Sequence, residues 1–139
     1  NGGIWNEDVK ELFSLADLVL LDVKEFNNER HETLTSRSNE QTLRTGAWLE
    51  ENGKPFWLRY VLVQGYSFFQ EDIEALGEHF KDYRMIQRVE ILPYHTLGVH
   101  KYEAMKLEYK LKGVKQNTPE QLEEARTLFE KYFDTVYVN

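Results

Sequence analysis

The sequence of 139 residues contains no cysteine. Without thiols the chain can form no disulfide, bind no metal through thiolates and use no cysteine nucleophile. No apolar run approaches the roughly 20 residues that a membrane-spanning helix needs. The opening stretch Asn1-Gly2-Gly3-Ile4 also lacks the basic and apolar regions of a secretion signal. We therefore expect a cytoplasmic protein with no membrane partner.

An excess of basic residues is also missing, since 17 Lys and Arg stand against 24 Asp and Glu, for a net charge of -7. A field of that sign repels nucleic-acid phosphates, so we expect no nucleic-acid partner. Hydrophobic residues make up 41% of the chain and aromatic residues 14%, which is enough for a real core. The composition predicts a single domain or fragment over residues 1–139.

Apolar runs and helical periods alternate along the chain, which predicts an α/β fold with a parallel sheet. The run from Leu18 to Leu21 is typical of a strand that is buried on both faces. Capping-box spacing at Ser38 and Gln41, and again at Thr118 and Gln121, predicts two helix starts. The predicted segments are strands at about 18–24, 56–63 and 88–92, a long loop at 94–117 and a C-terminal helix at about 119–132.

Polar residues stand at the end of each predicted strand, where α/β proteins bind ligands. Asp22 and Lys24 end the first strand, and they can either pair with each other or bind a zwitterion. Arg59 interrupts the second strand, where it either forms a salt bridge with Asp22 or Glu90 or recognises a carboxylate or ribose. His95 follows the third strand, and a lone histidine there is most often a surface group.

Several of these segments together resemble one family. Val19-Leu20-Leu21-Asp22-Val23-Lys24, followed by Asn27 and His31, resembles the Asp-x-Lys-x-x-Asn-x-x-x-His pattern of pyruvate formate-lyase activating enzymes. The segment Trp57-Leu58-Arg59-Tyr60-Val61-Leu62-Val63 resembles their next strand. Leu92-Pro93-Tyr94-His95, continuing through Gly98, His100 and Lys101, resembles their last barrel strand and loop. The similarity runs through essentially the whole chain in order.

This resemblance implies a fold and a reaction. The fold is a TIM-like partial (β/α)6 barrel of the radical S-adenosylmethionine type, of which the chain supplies the last three βα units and a C-terminal helix. The reaction is that of an oxidoreductase in which a [4Fe-4S] cluster cleaves S-adenosylmethionine. The resulting radical takes a hydrogen atom from a glycine of a glycyl-radical enzyme such as pyruvate formate-lyase. Flavodoxin or ferredoxin is the implied reductant.

The resemblance also implies roles for individual residues. Asp22, Lys24, Arg59 and His95 correspond to positions that contact S-adenosylmethionine, and Asp22 can also hold a monovalent cation. Asn27 and His31 belong to a loop that responds to docking of the partner enzyme.

The chain departs from the family at one essential point. The family binds its cluster through a Cys-x-x-x-Cys-x-x-Cys loop, and this sequence contains no cysteine. We therefore expect a C-terminal half that is inactive by itself. An open half-barrel also exposes a sheet edge, which predicts dimerisation through that edge.

Two alternatives remain open at this stage. The first is a metal-dependent hydrolase that uses Asp22, His31, His95 and His100 around a divalent ion. The second is a binding module that holds a glycyl-radical enzyme without activating it.

Overall fold

The computed structural model describes residues 2–95 and 111–139, which contain five helices and four strands. In chain order they are α1 (Glu7–Leu15), β1 (Val19–Val23), α2 (Asn28–Thr35), α3 (Glu40–Glu51), β2 (Phe56–Leu62), α4 (Gln70–Phe80), β3 (Ile86–Pro93), α5 (Pro119–Glu130) and β4 (Val136–Val138). None of the helices in these residues has the length and apolar composition needed to cross a bilayer.

The strands form one parallel sheet in the order β1-β2-β3-β4. At least one helix lies between each strand and the next in the chain, as parallel neighbours require, because the chain must return to the same end of the sheet. The α/β fold with a parallel sheet, predicted from the sequence, is confirmed. The short strand β4 adds a fourth member beside β3.

One face of the sheet is covered by helices and carries the core. Alternate residues of each strand point to this face, so β2 buries every second side chain from Phe56 to Leu62. They pack against α4 and α5 through residues such as Phe80 and Phe129, both fully buried. A smaller cluster around Leu49 of α3 covers β1.

The opposite face lies open in the described residues. Leu20 of β1 and Tyr137 of β4 both point to this face. Leu20 is 42% exposed and Tyr137 is 50% exposed. The expectation that the Leu18–Leu21 run is buried on both faces is therefore wrong. The helices that pack on β1 cover only one of its faces, so the apolar run alternates between core and solvent.

The helix starts follow local hydrogen bonding. The predicted capping box is present at Thr118 and Gln121, whose side chains each accept from the other's backbone N–H. The box predicted at Ser38 is wrong, because α3 begins one residue later with Asn39 as its N-cap. The Ser38 hydroxyl instead donates to Oδ1 of Asn28 at 3.0 Å, which ties the segment between α2 and α3 to the first residue of α2.

Close packing between α4 and the turn that follows α5 depends on Gly77. A Cβ atom at this position would lie 2.3 Å from a ring carbon of Tyr132. Such a contact is far shorter than van der Waals packing allows, so only glycine lets the two segments approach this closely.

Most of the predicted loop at 94–117 lies outside the described residues, including Gly98, His100 and Lys101. Its two ends are described, and they lie together. The backbone N–H of Tyr94 donates to Oδ1 of Asn117 at 2.8 Å. This bond places the start of α5 beside the end of β3.

Candidate functional site

A three-residue ionic network lies on the open face, near the carboxyl end of the sheet. Asp22 is its centre, because Nε of Arg59 donates to its Oδ1 at 2.6 Å and Nζ of Lys24 lies 3.3 Å from its Oδ2. Asp22 and Arg59 are direct partners in the register of β1 and β2. Lys24 lies two residues after Asp22, and side chains two apart on an extended chain share a face.

The network continues onto β3 as a row of alternating charge. Glu90 is the register partner of Arg59, and it forms an ion pair with Arg88 at 2.6 Å. The cations of the row are Lys24, Arg59 and Arg88, and its carboxylates are Asp22 and Glu90. The row therefore has a net charge of one positive unit. Such a row favours a ligand with an anionic group.

Electrostatics hold Asp22 in its ionised form. Burial alone would raise the pKa of this carboxyl, but the hydrogen bond from Arg59 and the charge of Lys24 outweigh it, so the pKa is lowered. The hydrogen bond to Asp22 in turn raises the pKa of Arg59. The carboxylate therefore stays ionised at neutral pH and can accept further hydrogen bonds, because each of its oxygens has two lone pairs.

A cavity of about 450 Å³ lies next to the network. Asp22 and Lys24 line it from β1, and His31 lines it from α2. The other lining residues are Gly3, Ile4, Thr35, Arg37, Ser38 and Thr42. A volume of this size falls in the range of small-molecule sites. Arg59 does not line this cavity. It is connected to the cavity by its hydrogen bond to Asp22, which does.

The two predicted docking residues have internal partners. Asn27 is the N-cap of α2, where its Oδ1 accepts from the backbone N–H of Arg30 at 3.2 Å. His31 is buried, and its Nδ1 lies 2.7 Å from the carbonyl oxygen of Arg37. A carbonyl oxygen only accepts, so Nδ1 carries the proton and Nε2 is the acceptor in the neutral ring.

His95 lies two residues beyond β3 and is exposed. Within residues 2–95 and 111–139, no hydrogen bond or ion pair joins it to Asp22, Lys24 or Arg59. The structure thus brings Asp22, Lys24 and Arg59 together and places His31 at the same cavity. It leaves Asn27 in a helix cap and His95 at the end of the described segment.

Sequence reasoning missed the stacked arginine of this face. The guanidinium of Arg88 lies 3.2 Å from the ring centroid of Trp57 and 5.1 Å from that of Tyr137. Such cation–π contacts help to hold the guanidinium of Arg88 in its ion pair with Glu90. The signal was present in the sequence, because the alternation of β3 places Arg88 and Glu90 on one face.

The metal site that the hydrolase alternative requires is not found in the described part of the chain. No group of three His, Asp or Glu side chains there is arranged to hold an ion. Nδ1 of His31 is already used in its bond to Arg37, and His100 lies outside the described residues.

Comparison with known proteins identifies close relatives. No family model matches the chain. The chain is 43% identical over 122 residues to the pyruvate formate-lyase-activating enzyme of Streptococcus mutans. This alignment covers 88% of the chain and 46% of that protein. The chain spans about half the length of the curated relatives that it matches.

Solved structures share the fold. A domain of pyruvate-formate lyase-activating enzyme from Bacteroides vulgatus superposes with a TM-score of 0.78 at 19% identity, over 97% of this chain and 74% of that one. Streptococcus suis SuiB bound to S-adenosylmethionine superposes with a TM-score of 0.71 at 13% identity, over 100% of this chain and 30% of that one. The predicted radical S-adenosylmethionine fold is therefore confirmed, and the chain is homologous to the pyruvate formate-lyase-activating enzymes along about half of their length.

Proposed function

We propose that this chain is the C-terminal half of a glycyl-radical-enzyme activase and that it binds S-adenosylmethionine beside Asp22, Lys24 and Arg59. The observation that carries the proposal is the ionic network that opens on the 450 Å³ cavity. Its chemistry suits the ligand, because the methionine part of S-adenosylmethionine carries a carboxylate and an ammonium group.

Each residue of the network has a distinct part in this proposal. The ammonium of Lys24 has three donors and uses one on Asp22, so it can donate to the ligand carboxylate. Asp22 accepts from the ligand ammonium or from a ribose hydroxyl, or holds a monovalent cation there. Arg59 fixes the orientation and charge of Asp22. His95 contacts the ligand from the end of β3.

The iron–sulfur cluster does not fit the residues of this chain. A [4Fe-4S] cluster is held by cysteine thiolates, and the sequence has none. No reaction step can therefore be assigned to these residues through the cluster, and we propose that the chain is inactive by itself. Radical formation needs thiolates from outside this sequence.

Partner binding follows from the same proposal. The glycyl-radical enzyme, such as pyruvate formate-lyase, docks near α2, whose first turn Asn27 caps and whose His31 lines the cavity. Flavodoxin or ferredoxin reduces the cluster of the whole activase, and the reaction takes place in the cytoplasm.

Calorimetric titration of the chain with S-adenosylmethionine tests the cofactor proposal. We expect Lys24→Ala to weaken binding about tenfold or more, since a charge-assisted hydrogen bond is lost. Lys81→Ala is the matched control, because Lys81 follows α4 and pairs with Glu78 at the surface, so its loss should leave affinity unchanged. No binding by the unmodified chain, or equal binding by Lys24→Ala, would contradict the proposal.

The absence of cysteine favours a second candidate, a module that binds a glycyl-radical enzyme without activating it. Addition of a polypeptide that carries the three-cysteine loop and its cluster separates the two. A glycyl-radical signal in electron paramagnetic resonance that needs both polypeptides supports the activase. Binding of pyruvate formate-lyase without any such signal supports the module.

A further inference from the structure

A fully buried carboxyl group lies directly after the ligand-facing Lys24. Glu25 is 0% exposed and has no role in the proposed chemistry. Its carboxyl group contacts both the turn after β1 and the strand β2. The inference drawn from it rests on the proposed function, because it concerns how the residues of that site are held in place.

One carboxyl oxygen of Glu25 holds the turn between β1 and α2. Its Oε1 accepts from the backbone N–H of Phe26 at 2.6 Å and from that of Asn27 at 3.0 Å. Asn39, the N-cap of α3, stabilises the same turn, because its Nδ2 donates to the carbonyl oxygen of Glu25 at 3.2 Å. The backbone between Lys24 and the N-cap of α2 is therefore fixed from two directions.

The other oxygen reaches the second strand. Oε2 of Glu25 lies 3.2 Å from the phenol oxygen of Tyr60, and that phenol lies 2.8 Å from the carbonyl oxygen of Ser67. All three residues are buried. Burial raises the pKa of Tyr60, so the phenol keeps its single proton.

That single proton cannot serve two acceptors. A carbonyl oxygen never donates, so the phenol proton of Tyr60 must go to Ser67 if that contact is to be satisfied. The contact with Glu25 is then a hydrogen bond only if Oε2 of Glu25 carries a proton of its own. We infer that Glu25 is a protonated, neutral positioning residue that orders the turn carrying Lys24 and Asn27 by donating to Tyr60.

The surrounding charges agree with a neutral Glu25. Burial, the largest cause, and the carboxylate of Asp72 on α4 raise its pKa, the backbone N–H donors and the Tyr60 contact lower it, and the net result is a pKa of about 7. Asp72 is itself paired with Arg30 of α2, so the nearby positive charge is already engaged. Tyr60 faces Glu25 from β2 and stays uncharged.

Ionisation of Glu25 would change the network. A carboxylate can only accept, so the phenol proton of Tyr60 would turn toward Glu25 and leave the carbonyl oxygen of Ser67 without that donor. Because the folded pKa lies above the unfolded value of 4.5, the contribution of Glu25 to stability is full below pH 4.5. It falls as the pH rises through about 7.

Infrared difference spectroscopy of the full chain against Glu25→Gln tests the protonation state. We expect the C=O band of a protonated carboxyl at pH 6, when exposed carboxyls are ionised, and its loss with a midpoint near pH 7. The absence of this band at pH 6 would overturn the inference.

Amide hydrogen exchange tests the positioning role. Glu25→Gln keeps an acceptor for both N–H groups and a donor for Tyr60, so exchange at Phe26 and Asn27 should stay within about threefold of the unmodified chain. Glu25→Ala should speed it about tenfold or more. Equal acceleration in both variants would contradict the neutral-acid role, and a folded Glu25→Ala without acceleration would contradict positioning.

Titration with S-adenosylmethionine separates this inference from the proposed function. At pH 8 we expect Glu25→Gln to bind at least as tightly as the unmodified chain, because it cannot ionise. If the infrared band and the exchange pattern are present but no variant binds S-adenosylmethionine, the role of Glu25 stands and the proposed function fails. Weaker binding by Glu25→Gln at pH 8 would contradict the inference.

Discussion

The two faces of the sheet differ in composition and in exposure to solvent. The face under α4 and α5 is apolar and closed, and Leu58 and Ile91 have no exposed surface there. The other face carries Asp22, Arg59 and Glu90 in one row and remains partly open. Both faces come from the same strands, because successive side chains of a strand point in opposite directions.

The difference shows how one strand can carry part of the core on one face and charged groups on the other. Residues on the closed face gain free energy by leaving water, whereas the ion pairs of the open face contribute little to stability because their attraction is offset by the cost of removing the partly buried charges from water. What distinguishes these ion pairs is their arrangement, because β-sheet register determines which charged side chains lie next to each other. Substitutions on the closed face should therefore affect folding, and those on the open face should affect binding.

Phe80→Ala should produce the largest effect. This side chain is fully buried between α4 and the sheet, and its loss leaves a cavity, so we expect the free energy of unfolding to fall by about 4 kcal/mol. Urea denaturation followed by circular dichroism measures the change. Leu20→Ala is the control on the open face, and we expect it to cost below about 1 kcal/mol. Similar losses in the two variants would remove the distinction between the faces.

Gly77→Ala should have the next largest effect. Alanine would favour the helix by about 1 kcal/mol, but its Cβ would collide with the ring of Tyr132. We expect a net loss of about 2 kcal/mol, because α4 and α5 must move apart. Thermal unfolding measures it, and restored stability in the double variant Gly77→Ala, Tyr132→Ala would confirm the collision as the cause. Unchanged stability of the single variant would show that the two segments can separate at no cost.

Asp22→Asn should affect binding more than folding. It leaves Arg59 and Lys24 without their shared carboxylate, and we expect a stability loss of about 1 kcal/mol at pH 7. Because the pKa of Asp22 is lowered, its stabilisation is present above pH 3.8 and lost as the pH falls below that value. The stability difference between variant and unmodified chain should therefore shrink in acid.

Denaturation at several pH values checks that trend, and titration with S-adenosylmethionine at pH 7 gives the affinity of the same variant. We expect binding to weaken at least about tenfold. A variant that loses stability but binds normally would assign Asp22 to structure alone.

Leu20→Gln should have the smallest effect on folding, within about 0.5 kcal/mol, because the side chain is already 42% exposed. Sedimentation equilibrium of the two chains addresses the predicted self-association. We expect the unmodified chain to dimerise, and the variant to do so more weakly if the open face takes part. Monomers of both chains at high concentration would contradict that prediction.

The sequence predicted those parts of the fold that depend on local pattern. The capping box at Thr118 and Gln121 was readable because a cap involves residues three apart. The helix start near Ser38 was misplaced because its hydroxyl bonds to Asn28, ten residues earlier, which only the folded α2–α3 turn brings close. Burial of Leu20 was misjudged because apolar composition does not say which face a helix will cover.

The candidate site was predictable to a similar extent. Asp22, Lys24 and Arg59 were identified as polar groups at strand ends, and parallel pairing places them at one edge. Glu25 was overlooked, because nothing in its sequence neighbourhood marks it as buried. Its partner Tyr60 lies 35 residues away and meets it only after β1 and β2 pair, and Ser67 joins the network through Tyr60 alone.

The sequence by itself determined the alternation of strands and helices, the charge of the strand ends and the lack of thiolates, because each depends on residue type and short-range spacing. Tertiary structure alone decided which face of the sheet stays open, that Arg59 pairs with Asp22, and that Glu25 meets a phenol in the core. Those outcomes depend on strand register and on helix packing, which join residues that are distant in the chain and give no local sign of their meeting.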